Sequence, residues 1–203
     1  MRAFLTSGRL TSSQAEKFKE LIGTPTVKRA LFITTAAVPY GLAPKPKWLE
    51  DSLVDMGQFV EAIDETTLEE GSFIPDDLSQ YGFIFVSGGN SFYLAYRLHK
   101  TAFSSKIKDF IARHGVYSGS SAGALILMDD IAHFASADDP TAAPKIYPGL
   151  SLVKFAVVPH ADSPKYMPIM NGIANSYRSD GKELFLLRDD QVLVINEGTT
   201  EMV

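Results

Sequence analysis

The segment GVYSGSSAGALIL, residues 115 to 127, contains three serines and three glycines and then becomes apolar. The pattern is typical of a strand that turns sharply into a helix, and Gly119, Ser121 and Gly123 fit the G-x-S-x-G pattern. In such a turn the residues two before and two after the serine nearly collide, so glycine is favoured at both. Ser121 is therefore a candidate nucleophile. The alternative is a small-residue turn that packs a helix closely or binds an anion.

A nucleophile of this kind needs amide donors for the oxyanion that it creates. Ala122, directly after the serine, supplies one candidate N–H group. Gly88 and Gly89 end the preceding apolar segment at the same edge of the predicted sheet and supply others. Asn90 follows them and is a candidate substrate-binding residue. The alternative is an ordinary turn in which Asn90 or Ser91 caps a helix.

The candidate general base is His160, one of four histidines in the chain. It directly follows the apolar segment FAVVP, so we expect it at the same sheet edge as the serine. His99 and His114 fall on or at the end of predicted helices and are expected at the surface. His133 begins a long irregular stretch from residue 132 to 148.

An acidic residue must orient the histidine, and the sequence leaves several candidates open. Most aspartates in such positions form turns or are solvated. The candidates are Asp138, Asp139, Asp162, Asp189 and Asp190.

Short apolar segments alternate with helical patterns along the chain. This order predicts an α/β fold with three layers, in which helices cover both faces of a mainly parallel sheet. The 203 residues suffice for one domain, so residues 1–203 are expected to form a single domain. The predicted strands lie in RAFLTSG, RALFITTAA, FVEAID, YGFIFVSGGN, VYSG, LSLVKFAVVPH and ELFLLRDDQVLVINEG. One predicted helix begins near residue 13, and the others lie in KWLEDSLVDMG, SFYLAYRLHKT, SSKIKDFIARHG and SAGALILMD.

Composition narrows the classes of function. The net charge is -5, without a block of like charges, which disfavours nucleic acid or an anionic membrane as a partner. The absence of cysteine excludes disulfides and thiolate metal sites, and one well-placed histidine makes a zinc site unfavourable, so no metal or cofactor is expected. Neither a secretory signal nor an apolar run of about 18 residues is present, so the expected location is cytoplasmic.

Three segments together, FVSGGNSFYL, YSGSSAGALIL and VVPHAD, resemble the peptidase E family of serine peptidases. This family is related to alpha-aspartyl dipeptidase and more distantly to cyanophycinase. The resemblance implies a flavodoxin-like sheet similar to that of class I glutamine amidotransferases, with a nucleophile elbow. It also implies a short peptide as substrate and a monomer or homodimer.

The resemblance implies roles for five of the candidates. Ser121 matches the nucleophile and His160 the general base. Gly89, together with Gly88, and Ala122 match the amides of the oxyanion hole.

Two acidic positions of the family have counterparts here. Asp138 matches the aspartate in the loop after the nucleophile helix, and Asp189 matches an acidic position in the late turn. The spacing favours Asp138. In the family's dipeptidases, an arginine after the histidine holds the aspartate side chain of the substrate. Here the positive charges after His160, Lys165 and Arg178, are out of register with that arginine. Strict specificity for N-terminal aspartate is therefore in doubt.

The predicted reaction is the hydrolysis of short peptides through an acyl-enzyme. A small-ester or amide hydrolase and a non-catalytic ligand-binding protein of the same fold are the alternatives.

Overall fold

A seven-stranded sheet forms the centre of the protein, whose computed structural model describes residues 1–23 and 28–203. Its strands are β1 (Arg2–Thr6), β2 (Arg29–Ile33), β3 (Ala62–Thr66), β4 (Phe83–Val86), β5 (Val116–Ser120), β8 (Val192–Asn196) and β9 (Thr199–Met202). Five neighbours, in the order β3-β2-β4-β5-β1, are parallel. β8 joins β1 in antiparallel orientation, and β9 joins β8 in the same way. The carboxyl ends of the parallel strands therefore share one edge.

Helices cover both faces of this sheet. One face packs against α1 (Ser12–Ile22) and α2 (Lys47–Gly57), and the other against α3 (Ser91–Lys100), α4 (Phe103–Ala112), α5 (Ala122–Leu125) and α6 (Met167–Ser179). Short 3-10 helices cover Thr35–Tyr40, Ala132–Ser136 and Pro140–Ala142. None of the helices within the described part of the chain is long and apolar enough to cross a membrane.

Strand β1 explains why the predicted strands are almost continuously apolar. Phe4 belongs to the core under α1 and α2, whereas Ala3 and Leu5 belong to the core on the opposite face. All three are fully buried, because successive side chains of a strand point to opposite faces and both faces are covered here. The predicted mainly parallel α/β sheet with helices on both faces is thus confirmed, and the antiparallel β8 and β9 make it a mixed sheet.

Several details differ from the sequence prediction. The late strands lie in separate sheets: β7 (Leu184–Leu186) pairs in parallel with β6 (Ala156–Val158), while β8 enters the main sheet. Strand β9 and helix α6 were not predicted, although α6 has an apolar face formed by Met170, Ile173 and Tyr177. The helix after Ser121 is only four residues long.

Candidate active site

Ser121 lies in the turn that joins β5 to α5. Its backbone has φ 50° and ψ −110°, an uncommon conformation for a residue with a side chain. Its N–H group donates a 2.9 Å hydrogen bond to the carbonyl oxygen of Thr6, at the end of the neighbouring strand β1. The turn is thus held against the sheet edge, with the serine hydroxyl directed to the open side.

The glycines on either side of Ser121 are required by close backbone approach. A methyl group on Gly119 would overlap the carbonyl group of Gly123, and one on Gly123 would overlap the carbonyl group of Val86. The prediction that glycine is needed two residues before and after the serine therefore has a direct steric reason in this turn.

The predicted oxyanion donors lie beside the serine. A methyl group added to Gly88 would be 3.9 Å from Ser121 Oγ, so the loop after β4 runs directly past the hydroxyl. Gly89 has φ +133°, a conformation that favours glycine. Within the described residues, the N–H groups of Gly88, Gly89 and Ala122 donate no hydrogen bond to the protein. Gly88 and Ala122 are buried, and buried backbone donors are normally paired, so their unpaired N–H groups are unusual.

His160 joins the serine to an acidic residue. Its Nε2 is 3.0 Å from Ser121 Oγ, and its Nδ1 is 2.8 Å from an oxygen of Asp189. With the Nδ1–H tautomer, the ring donates to Asp189 and accepts the serine proton. The imidazole is mostly buried, whereas the Asp189 side chain is 48% exposed.

Ser7, which sequence analysis did not single out, helps to position this histidine. Its hydroxyl accepts a 3.1 Å hydrogen bond from the His160 N–H and donates a 3.0 Å bond to the carbonyl oxygen of Leu187. The Tyr166 ring lies beside the imidazole, with 5.4 Å between centroids. Ser7 directly follows β1, and Leu187 directly follows β7, so this buried hydroxyl connects the two sheets at the site.

The late turn is fixed by a second aspartate. The Asp189 N–H donates a 2.9 Å hydrogen bond to Asp162, two residues after the histidine. Asp162 therefore supports the turn and does not bind the imidazole. Asp190 forms an ion pair with Arg188 and points elsewhere.

Asp138, which the spacing favours as the acid, binds another group. One of its oxygens accepts hydrogen bonds from the Ser91 N–H, at 2.8 Å, and from the Ser91 hydroxyl, at 2.6 Å. Burial raises the pKa of this carboxyl, and the two bonds from Ser91 oppose that shift. The structure thus pairs His160 with Asp189, whereas Asp138 is bound to Ser91 and lines the same cavity as His160.

Asn90 is the N-cap of α3. Its side-chain oxygen accepts from the Tyr93 N–H, and its amide donates to the carbonyl oxygen of Asp139, both at 2.9 Å. The residue is 2% exposed. Both ends of the side chain are thus occupied within the protein, which supports the alternative assignment of Asn90 as a helix cap.

These groups surround a cavity of about 330 Å³. Its lining includes Ser121, His160, Asp138, Arg9, Tyr40 and Trp48. A larger cleft of about 500 Å³ lies at the opposite, amino-terminal end of β1 and β5, near Arg2 and Val116, and contains none of the predicted catalytic residues.

Comparison with known proteins gives one consistent result. Residues 3–203 match peptidase family S51. The chain is 32% identical over 175 residues to an uncharacterised peptidase of Listeria innocua, covering 82% of this chain and 83% of that protein. It is 28% identical to a protein named peptidase E from a Nostoc species, covering 91% of this chain and 72% of that protein. A crystal structure of a Listeria monocytogenes protein assigned as a peptidase E superimposes with a TM-score of 0.79, at 23% identity and with coverage of 100% and 97%.

Proposed function

Because the chain belongs to peptidase family S51 and is a serine-type peptidase, we propose that it hydrolyses short peptides through an acyl-enzyme formed on Ser121. One observation carries this proposal. The hydroxyl of Ser121, the imidazole of His160 and the carboxylate of Asp189 are connected by contacts of 3.0 and 2.8 Å at the wall of an open cavity.

The proposed first step is an attack by Ser121 Oγ on the scissile carbonyl carbon. His160 Nε2 takes the hydroxyl proton as the new bond forms, and later delivers a proton to the departing amine. Asp189 keeps the other ring proton on Nδ1 and stabilises the imidazolium. Water then attacks the acyl-enzyme with His160 again as the base, which releases the acid product and restores the serine.

The proposed oxyanion hole consists of the N–H groups of Ala122 and Gly89, together with Gly88. Gly88 and Ala122 lie next to Ser121, and Gly89 lines the same cavity. Their N–H groups have no acceptor within the described residues, which supports a role in binding the developing negative charge. Helix α5 has only four residues, and few peptide dipoles are aligned behind its amino end. The individual N–H groups, more than a helix dipole, are therefore expected to stabilise the oxyanion.

We assign the β5-Ser121-α5 turn as a nucleophile elbow, and the fold as flavodoxin-like in the manner of class I glutamine amidotransferases. The positive φ of Ser121 and the two glycines packed against backbone carbonyl groups support this assignment. The serine then occupies the carboxyl edge of the sheet, where open α/β folds bind their ligands.

The size of the cavity favours short substrates. A volume of about 330 Å³ is at the lower end of the range for small-molecule sites, and accommodates a dipeptide rather than a folded chain. We therefore propose dipeptides and similarly short peptides as substrates.

The proposal can be tested with wild-type protein and Ser121→Ala. A fluorophosphonate probe should label the wild type only, and the wild type should hydrolyse members of a dipeptide set with varied N-terminal residues. Ser121→Ala retains Cβ in the turn and should fold, yet lose about 10⁶-fold in turnover. Circular dichroism of the variant is the control for folding.

The other results are equally informative. Hydrolysis of p-nitrophenyl esters without cleavage of any peptide would identify a small-ester hydrolase. The absence of both labelling and turnover would identify a ligand-binding protein. More than a few per cent of wild-type activity in Ser121→Ala would exclude the serine mechanism.

A further inference from the structure

Tyr117 is a fully buried tyrosine of β5, four residues before the proposed nucleophile Ser121. Its hydroxyl donates a 2.6 Å hydrogen bond to the carbonyl oxygen of Gly123, two residues after the nucleophile. Burial raises the pKa of the Tyr117 hydroxyl, so the group keeps its proton and remains a donor. This bond connects the strand on one side of Ser121 to the helix on the other.

The shortness of α5 explains why the Gly123 carbonyl needs a side-chain donor. In a longer helix, this oxygen would accept from the N–H of Leu127, four residues later. Helix α5 ends at Leu125, and no backbone N–H of the described residues donates to the Gly123 oxygen. A buried carbonyl group without a donor is costly, so the tyrosine hydroxyl replaces the missing helical bond.

Two peptide groups connect this hydroxyl to the proposed oxyanion donor. The first joins Gly123 to Ala124, and its carbonyl accepts from Tyr117. Its N–H donates a 2.8 Å hydrogen bond to the carbonyl oxygen of Ser121. The second peptide group joins Ser121 to Ala122, and carries both that carbonyl and the Ala122 N–H. Because a peptide group is planar, a carbonyl held in one direction also fixes the direction of the N–H on its other side.

We propose that Tyr117 is a positioning residue for the oxyanion hole, which directs and strengthens the Ala122 N–H through Gly123. Hydrogen bonds in series polarise one another in a low dielectric, so a carbonyl that accepts a bond makes the N–H of its peptide group a stronger donor. This inference rests on the proposed function, and adds a residue that acts on the reaction without touching the substrate, since Tyr117 is fully buried.

Tyr117→Phe removes the hydroxyl and keeps the ring. We expect kcat on a dipeptide that the wild type cleaves to fall about tenfold, less than the 10²–10³-fold loss seen when an oxyanion donor is removed. The loss is smaller because the Leu125 N–H still binds the Ser121 carbonyl, at 3.0 Å. KM should stay within about twofold of the wild type, since the charge develops only in the transition state.

Two further measurements locate the effect in the oxyanion hole. The rate constant of fluorophosphonate labelling should fall together with kcat, because the phosphonyl oxygen uses the same donors. The pH dependence of kcat/KM should keep its wild-type midpoint, because Tyr117→Phe leaves the contacts of His160 with Ser121 and Asp189 unchanged.

Tyr177→Phe is the matched control. Tyr177, in α6, is 2% exposed, and its hydroxyl donates a 2.8 Å hydrogen bond to the carbonyl oxygen of Asp130. Each variant thus removes a tyrosine hydroxyl from a backbone carbonyl, and each should lower the Tm by about 2–10 °C. Only Tyr117→Phe should slow turnover and labelling. Thermal unfolding and kinetics of the same preparations therefore separate positioning from a general loss of stability.

Three outcomes with an active wild type would overturn the inference and leave the proposed function standing. The first is a wild-type kcat in folded Tyr117→Phe. The second is an equal loss of kcat in Tyr117→Phe and Tyr177→Phe, which would reflect stability alone. The third is a change confined to KM, or a shifted pH midpoint, which would place the effect on substrate binding or on His160. A wild type that is neither labelled nor active would refute the proposed function, and this inference with it.

Proton NMR of the wild type provides the test if Tyr117→Phe does not fold. The Tyr117 hydroxyl proton is buried, and should exchange slowly enough to be observed. When a fluorophosphonate modifies Ser121, its phosphonyl oxygen takes the place of the oxyanion. The Tyr117 hydroxyl resonance should then shift downfield, while the Tyr177 hydroxyl resonance stays in place. An unchanged Tyr117 resonance would overturn the inference without any variant.

Discussion

At the scale of single residues, the two aspartates of the site have different surroundings and different expected roles. Asp189 contacts His160 Nδ1 at 2.8 Å, whereas Asp138 is bound to Ser91. Asp189→Asn should therefore lower kcat by up to about 10⁴-fold, the loss seen when a triad asparagine holds the wrong tautomer. Because Asp189 is about half exposed, water can replace part of its function and a smaller loss is consistent with the same role.

The comparison with Asp138→Asn decides between them. Asp138→Asn should keep most of kcat at saturating substrate concentrations. Asp190→Asn, which changes the residue directly after Asp189, should behave as wild type. Single-turnover measurements on the three variants check this order. A collapse of kcat in Asp138→Asn alone would identify Asp138 as the acid, as the sequence spacing favours. No effect in any variant would show that the site works as a Ser-His pair without an acidic member.

Asp138 should also leave a signature in stability. Because burial raises its pKa above the ordinary value of 3.8, the folded state binds this proton more tightly than the unfolded state. The ionised carboxylate therefore costs stability as pH rises through the raised pKa, and this cost is absent below 3.8. Asparagine has no such proton. The free energy of unfolding of Asp138→Asn relative to wild type should thus increase as pH rises above about 4, and become constant above the raised pKa.

Urea unfolding of both proteins over a pH series measures this difference. Asp139→Asn provides a control of opposite sign, since hydrogen bonds from Thr141 lower the pKa of Asp139. Its stability relative to wild type should decrease as pH rises towards 3.8 and then stay constant, below the range in which the Asp138→Asn difference increases. A flat or falling difference for Asp138→Asn would show that burial does not govern this carboxyl.

At the scale of elements, the turn between β5 and α5 depends on glycines that other residues cannot replace. A Cβ on Gly123 would overlap the backbone of Val86 in the neighbouring strand β4. Gly123→Ala should therefore destabilise the protein by about 1–3 kcal/mol, the usual cost of overpacking a core, and should reduce labelling of Ser121 because the turn must move.

Gly172→Ala is the matched control in helix α6. Nothing lies within 4 Å of a Cβ added there, and alanine is favoured over glycine in a helix by about 0.5–1 kcal/mol. This variant should be slightly more stable and equally active. Thermal unfolding and fluorophosphonate labelling compare the two; an active, stable Gly123→Ala would contradict the steric argument.

At the scale of the whole molecule, charge around the cavity disfavours an acidic substrate. Arg9 is the only lysine or arginine among the described residues that line it, and its guanidinium binds Asp55 at 2.9 and 3.1 Å. Asp51 lies 3.8 Å from the same group, and the chain carries a net charge of -5. Peptides with an N-terminal alanine should therefore be cleaved with a higher kcat/KM than peptides with an N-terminal aspartate.

Asp55→Asn tests the origin of this preference. The change frees Arg9 from one carboxylate, and should improve cleavage of N-terminal aspartate relative to alanine by a few-fold, since exposed ion pairs are worth up to about 1 kcal/mol. Asp109→Asn, on the exposed side of α4, changes the net charge equally and should leave the ratio unaltered. A wild-type preference for aspartate would show that Arg9 is available to substrate.

Local sequence was sufficient for much of this site. The G-x-S-x-G segment and the paired Gly88 and Gly89 each follow a strand of the main sheet, and parallel strands bring those ends to one edge. His160, expected at this same edge, instead follows β6 of the separate two-stranded sheet and reaches Ser121 from there. The alternation of strands and helices likewise predicted a mainly parallel sheet with helices on both sides. These features depend on steric and hydrophobic patterns within short stretches of chain, and such patterns are visible in the sequence itself.

The choice between the two aspartates could not be made in the same way. Asp189 reaches His160 across 29 residues because β7 pairs with β6 in a separate small sheet, and because Ser7 and Asp162 hold the backbone on either side. Asp138, in an irregular stretch, is directed to Ser91 instead. Which carboxylate meets the imidazole, and that Arg9 is neutralised by Asp55, follow from contacts between distant segments, so only the tertiary structure decided them.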